Sequence, residues 1–230
     1  LNHVHFIEKN KVMKRTANVI GATGLVGKQL VQLLLKNENF EKVRIFVRRS
    51  SGISHPKLEE QLIDFGHVES WAEKLTGDVL FSALGTTLKQ AGGKEKQYET
   101  DVTFNLNFAR KAKENAIENY VLVSSVGANP KSWIFYSRIK GELDEAVSKI
   151  GFQNLAILRP ASLTGDRDER RLMEELSVPV VRFVTKFIFK KYRPIHGITV
   201  AQAMINAVLH PEPEKTIWEA AEVFQLAEND

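Results

Sequence analysis

At 230 residues and 43% hydrophobic side chains, the chain is long enough for one α/β domain with a full core and has an ordinary globular composition. The absence of cysteine excludes disulfides, thiolate metal sites and cysteine catalysis; no metal site is assigned, and a reducing compartment, the cytoplasm, is expected. A net charge of only +4, with basic residues mixed among acidic ones, argues against a nucleic-acid partner.

Residues 1–12 lack the apolar centre of a signal peptide and read as an N-terminal extension. Residues 13–230 are expected to form a single domain, with 161–230 supplying a small substrate-binding region. In ANVIGATGLVG, Ala17, Val19 and Ile20 build an apolar strand that runs into Gly21-x-x-Gly24-x-x-Gly27. Through Thr23 and Gly24 the turn leads straight into a helix with Leu30, Leu33 and Leu34 on one face. Gly21 lets the chain turn, Gly24 admits phosphates close to the backbone, and Gly27 lets the helix lie against the sheet. Amides near Leu25 and Val26, backed by the helix dipole, are aimed at an anion, and a dinucleotide diphosphate is the expected ligand.

The second strand, 42–50, ends in Arg48 and Arg49, where NAD-preferring sites place an acid for the ribose 2′-hydroxyl. Guanidinium groups grip a 2′-phosphate with parallel hydrogen bonds, so NADP(H) is expected over NAD(H). EQLIDF (60–65) reads as a third strand, ending in Asp64 for the adenine amino group and Phe65 for the face of the ring. A helix is expected over 68–75. DVLFSALG (78–85) is a fourth strand, ending in Leu84 and Gly85-Thr86-Thr87. A long helix over about 95–117, a strand at 120–125, a helix at 132–150 and a strand at 154–160 complete the alternation. That order predicts a doubly wound parallel sheet, a Rossmann fold, with ligands beyond the carboxyl ends of its strands.

Tyr136 and Lys140 lie four residues apart and share a helix face. A free tyrosine, with a pKa near ~10, is a poor acid or base at neutral pH. A neighbouring ammonium favours the phenolate, so the pair can exchange a proton with a carbonyl or alcohol oxygen. Ser125, at the preceding strand end, can bind the same oxygen, and Lys140 can also hold the nicotinamide ribose. The trio fits hydride transfer at the nicotinamide.

No stretch is long and apolar enough to span a bilayer; 172–189 is interrupted by charges and by Pro179. After Pro179 it reads as an amphipathic helix followed by Lys190, Lys191 and Arg193, suited to a substrate-pocket wall or homodimer contact, or alternatively to reversible membrane-surface contact. The charge run 166–171 reads as a solvated loop, with Arg167, Arg170 or Arg171 available to an acidic substrate. A helix is expected over Ile198–Leu209, with His196 just before it as a packed or capping residue, then a short strand and a last helical turn.

GATGLVG, SALGTT, VLVSSVGA, YSRIK and LRPASLTG, in that order, resemble the short-chain dehydrogenase/reductase superfamily over about residues 15–210. The resemblance is to its atypical members, including Tat-interacting-protein-like oxidoreductases and NAD-dependent epimerase/dehydratase relatives. It implies a catalytic Ser125, Tyr136 and Lys140, a glycine turn at Gly21, Gly24 and Gly27, and nicotinamide contacts at Pro160, Ser162 and Leu163. Only eleven residues separate Ser125 from Tyr136, fewer than in many members. Asn105 and Asn107 are the candidates for the superfamily's helix asparagine, and Asp101 lies in the same region. The leading expectation is an NADP(H)-dependent oxidoreductase acting on a small carbonyl or alcohol. A non-catalytic NADP(H)-binding regulator or scaffold is the alternative, and a sugar-nucleotide epimerase or dehydratase ranks third.

Overall fold

The computed structural model describes residues 14–164, 193–212 and 214–229. Its strands are β1 (Arg15–Ile20), β2 (Phe40–Val47), β3 (Leu58–Leu62), β4 (Val79–Ser82), β5 (Asn119–Val123), β6 (Asn154–Arg159), β7 (Leu163–Thr164), β8 (Ile195–His196) and β9 (Ile217–Glu219). Seven of them form one wholly parallel sheet in the order β3-β2-β1-β4-β5-β6-β9. β7 and β8 form a separate parallel pair. The order reverses between β1 and β4, the doubly wound arrangement expected, and folds of this kind place their ligands at that reversal, beyond the strand carboxyl ends.

The helices are α1 (Leu25–Lys36), α2 (Leu88–Ala91), α3 (Lys94–Tyr98), α4 (Asn105–Glu114), α5 (Phe135–Ser148), α6 (Gly197–Leu209) and α7 (Ala220–Glu228). Successive strand side chains point to opposite faces and so build two cores. Val19, Ile45, Phe81 and Val121 pack under Leu30 of α1, Met204 of α6 and Val223 of α7. Ile20, Phe46, Leu80 and Leu122 pack under Phe108 of α4 and Leu143 of α5.

Three elements differ from expectation. The helix expected at 68–75 is two 3-10 turns, Val68–Ser70 and Ala72–Lys74, broken at Trp71. Trp71 is fully buried and stacks on Phe108 with centroids 3.8 Å apart, so the chain bends to deliver the indole to the core. The long helix of about 95–117 runs from α3 through a π-helical segment, Glu99–Phe104, into α4. At the C-terminus, β9 joins the main sheet beside β6, and α7 is a nine-residue helix closed by a reciprocal Glu219–Glu222 capping box, more than a single turn. The extension 1–12, the charge run 166–171 and the helix expected after Pro179 lie outside the described residues.

Candidate active site

The glycine turn is built by close main-chain approach. Gly21 has φ +76°, and a Cβ there would overlap the Ala83 carbonyl and stand 2.5 Å from the Leu84 nitrogen, where the chain leaves β4. A Cβ at Gly27 would overlap the Gly21 carbonyl, so α1 can start only where it does because residue 27 has no side chain. Gly24 is the N-cap of α1 and offers no capping side chain, and the first turn carries no acid. The first amides of α1, at Leu25 and Val26, therefore retain donors and a positive helix end for an anion. Thr23 and Gly24 are exposed beside them, while the Val26 side chain belongs to the core and leaves only its main chain for a ligand. These features fit a dinucleotide diphosphate.

Arg48 and Arg49 follow β2 directly at its carboxyl end, and both are exposed. The nearby acid Glu60 is occupied, accepting from the Ser51 amide at 2.7 Å and the Ser51 hydroxyl at 2.5 Å, which holds its carboxyl below the usual range. β3 ends at Leu62, short of the expected 65, so Asp64 lies two residues past it; one of its oxygens accepts from the Gly66 amide at 2.9 Å and the other lies 3.0 Å from His67 Nδ1. Phe65 departs from expectation. Its ring is 4% exposed and packs against Phe104 and Phe108, each at 5.6 Å, so it belongs to the aromatic core and presents no face to an adenine.

The loop after β4 is tied to the π segment and its neighbours. The Thr86 amide donates to Asp101 Oδ1 at 2.7 Å, Gln97 donates to the Thr86 carbonyl at 3.2 Å, and Asn105 donates to the Leu84 carbonyl at 3.3 Å. Thr87 caps α2 by accepting from the Gln90 amide. Asn105 is fully buried; its amide also reaches the carbonyls of Thr100 and Asp101 and accepts from the Ser82 hydroxyl. Both ends of Asn105 are thus committed to protein groups, and Asn107, two residues further along α4, is half-buried.

Tyr136 and Lys140 occupy the first two turns of α5, with Lys140 Nζ 5.8 Å from the Tyr136 ring centroid. Tyr136 is 41% exposed, whereas Lys140 is 4% exposed. Ser125 follows β5 and is half-buried, its hydroxyl making one long hydrogen bond, 3.3 Å, to the Val126 carbonyl. The short connection from Ser125 to Tyr136 folds back onto α5. The Asn129 amide donates to the Ser137 carbonyl at 2.9 Å, and the loop's main chain lies where a Cβ of residue 141 would be, a close approach that requires Gly141. Pro160 is buried, with its carbonyl accepting from the Val126 amide at 3.0 Å; Ser162 is exposed, its carbonyl accepting from Ile195; Leu163 pairs with Ile195 across β7 and β8. His196 stands at the N-cap position of α6 but is exposed and makes no capping bond; its Nδ1 lies 3.4 Å from the Thr164 hydroxyl.

Two buried carboxylates near Lys140 were not assigned a role from sequence. Burial pushes the Asp101 carboxyl above the ordinary range, against the pull of Lys140, the Thr86 amide and Gln97. Asp144, one turn beyond Lys140 on α5, is likewise raised by burial, opposed by Ser124, Arg159 and Lys140. Arg159 bridges Asp144 at 2.9 Å and Glu219 at 2.8 Å, joining α5 to the ends of β6 and β9. The i, i+4 spacing of Lys140 and Asp144 was a readable signal; the approach of Asp101 was not, because it is made across the fold.

The strand order and the glycine turn define a doubly wound Rossmann protein. Residues 21–211 match the family described as NAD(P)H-binding, and the chain belongs to that family. It is similar to Protein FMP52, mitochondrial, of Candida glabrata (43% identical over 157 residues, 67% of this chain and 66% of that one). It is also similar to Protein FMP52-1, mitochondrial, of Scheffersomyces stipitis (35% identical over 224 residues, 92% and 98%). These names overturn the cytoplasmic expectation and point to mitochondria; absence of cysteine cannot distinguish compartments that both keep thiols reduced. Among solved structures, the oxidoreductase ylbE from Lactococcus lactis shares the fold with a TM-score of 0.65 at 16% identity, covering 93% of this chain and 95% of that one. A UDP-N-acetylglucosamine 4-epimerase from Methanobrevibacter ruminantium does so with a TM-score of 0.66 at 15% identity, covering 87% and 74%. At such identities the likeness is one of fold. Among the described residues, no helix is long and apolar enough to cross a membrane.

Proposed function

We propose that this protein is an NADP(H)-dependent oxidoreductase that interconverts a small carbonyl compound and its alcohol. The observation that carries the reading is the placement of Tyr136 and Lys140 on one face of α5, with the phenol exposed and the lysine turned inward toward the Gly85–Thr87 loop. The glycine turn and the uncapped start of α1 support a diphosphate there. Exposed Arg48 and Arg49 at the end of β2 support a 2′-phosphate, and hence NADP(H). Thr23, Leu25, Val26, Leu84, Thr86, Thr87, Pro160, Ser162 and Leu163 are assigned to the walls of the same cleft.

When bound, the nicotinamide supplies or accepts the hydride. Tyr136 gives its hydroxyl proton to the carbonyl oxygen in reduction and takes it back from the alcohol in oxidation. Ser125 donates a hydrogen bond to the same oxygen, favouring the charge that develops there. Lys140 donates to the nicotinamide ribose and presents a positive charge beside the phenol. The test is Tyr136→Phe, assayed by NADPH oxidation over a panel of small aldehydes and ketones. Turnover should fall by about 10²–10⁴-fold with NADPH affinity unchanged; retained turnover contradicts the role.

A further inference from the structure

We infer that Asp101 is the positioning residue that holds Lys140 in place beside the Gly85–Thr87 loop. Asp101 is fully buried on the π segment, and its two oxygens divide the work. Oδ1 accepts from the Thr86 amide at 2.7 Å, which fixes the carboxylate to the loop. Among the described residues Oδ2 has no hydrogen-bond partner, and it faces Lys140 Nζ at 3.8 Å, in ion-pair range but beyond a direct hydrogen bond. A Cβ on Gly85 would stand 3.4 Å from Asp101 Oδ1 and 3.5 Å from Lys140 Nζ. Gly85 therefore lies directly beside both buried groups.

A lysine has a long flexible stem, and an ammonium removed from water is costly without a counter-charge. Among the described residues, the charged and titratable groups around Lys140 are few. On its own helix are Tyr136 and Asp144; from the π segment comes Asp101. Asp144 is taken by Arg159 at 2.9 Å, which leaves Asp101 as the carboxylate in ion-pair contact with Lys140 among the described residues. The downward pull of Lys140 on a carboxyl raised by burial agrees with this pairing. Asn105, by taking the carbonyls of Thr100 and Asp101, fixes the backbone that carries the acid. The placement rests on geometry alone; only the use of Lys140 on a ribose rests on the proposed function.

The test is Asp101→Asn, which keeps the oxygen for the Thr86 amide and removes the charge. In the protein without nucleotide, reductive methylation by formaldehyde and cyanoborohydride, read by peptide mass spectrometry, should label Lys140 about fivefold faster than in the wild type, because the amine on its flexible stem loses the ion-pair partner that holds it inward against the loop. Labelling of surface lysines should not change. An unchanged Lys140 rate overturns the inference. Should D101N fail to fold, Lys140→Met gives an independent reading: the Asp101 carboxyl carbon should titrate at higher pH in K140M than in the wild type by NMR, and coincident titrations overturn the inference. A double-mutant cycle on NADPH affinity adds a third. If D101N weakens binding alone but not on the K140M background, the positioning role is supported, and additive losses overturn it. Faster Lys140 labelling in D101N with unaltered NADPH affinity in K140M supports the inference and removes the ribose contact from the proposed function.

Discussion

Replacing Gly141 with alanine sets two opposed effects against each other on the helix that carries Tyr136 and Lys140. In an unobstructed helix interior the change stabilises by about 1 kcal/mol, because alanine has less backbone freedom to lose. In α5 the added methyl would overlap the Asn129 carbonyl carbon and the Pro130 nitrogen and stand 2.5 Å from the Asn129 nitrogen, where ordinary contact begins at 3.4 Å. The obstructing atoms are main chain, so no side chain can swing aside. The loop must shift by about 1 Å, and overpacking of this kind costs ~3 kcal/mol at the upper end of its range. The net expectation is a loss of about 2 kcal/mol. The same shift strains the hydrogen bond from the Asn129 amide to the Ser137 carbonyl and displaces the connection between Ser125 and Tyr136. Turnover should therefore fall about tenfold or more, with NADPH affinity little changed. Urea unfolding followed by tryptophan fluorescence measures the first effect, and NADPH oxidation with a carbonyl substrate measures the second. Unchanged or increased stability in G141A would refute the reasoning about the loop.

Arg48→Ala with Arg49→Ala should weaken NADPH binding about tenfold or more while leaving NADH binding near its starting value, since charge-assisted contacts to the 2′-phosphate are lost; equal losses in fluorescence titrations would contradict the arginine assignment. Ser125→Ala should lower kcat by about 10²-fold with little change in NADPH affinity, as expected for removal of one donor to a developing oxyanion; steady-state kinetics decide it, and an unaltered kcat removes Ser125 from the site. Asp144→Asn should alter the pH dependence of stability. Burial raises the Asp144 carboxyl in the folded chain, so its contribution is present below the unfolded value, near 3.8, and is lost as pH rises through the folded value. The stability of the wild type relative to D144N should fall as pH is raised across that window in urea unfolding series, and a flat or rising difference would contradict it.

The parts of the fold that repeat a local rule were legible in the sequence. Strand alternation placed β1, β4, β5 and β6 within one or two residues of their ends at most positions, and Gly21, Gly24 and Gly27 marked the start of α1. Tyr136 and Lys140 were readable because helical spacing alone brings them onto one face. Other features depend on partners distant in sequence. Trp71 breaks a helical pattern because Phe108 offers it a stacking surface, and Phe65 turns inward to the same cluster although its position beside Asp64 suggested a ligand contact. Gly141 looks like an unremarkable helix glycine until the Asn129–Pro130 chain is laid against it. Asp101 becomes a partner of Lys140 only when the π segment and α5 are brought side by side. The terminal segment from Thr216 reads as a short strand and a last helical turn; what its sequence does not show is that β9 extends the main sheet beside β6 and that Val223 and Leu226 of a longer helix enter the core beside α6.

The most direct measurement is a crystal structure grown with NADPH. The account predicts the diphosphate on the amides of Leu25 and Val26, the 2′-phosphate against Arg48 and Arg49, and the nicotinamide between Gly85 and Tyr136. A nucleotide bound elsewhere, or a cleft between β1 and β4 filled by the protein's own side chains, would contradict it.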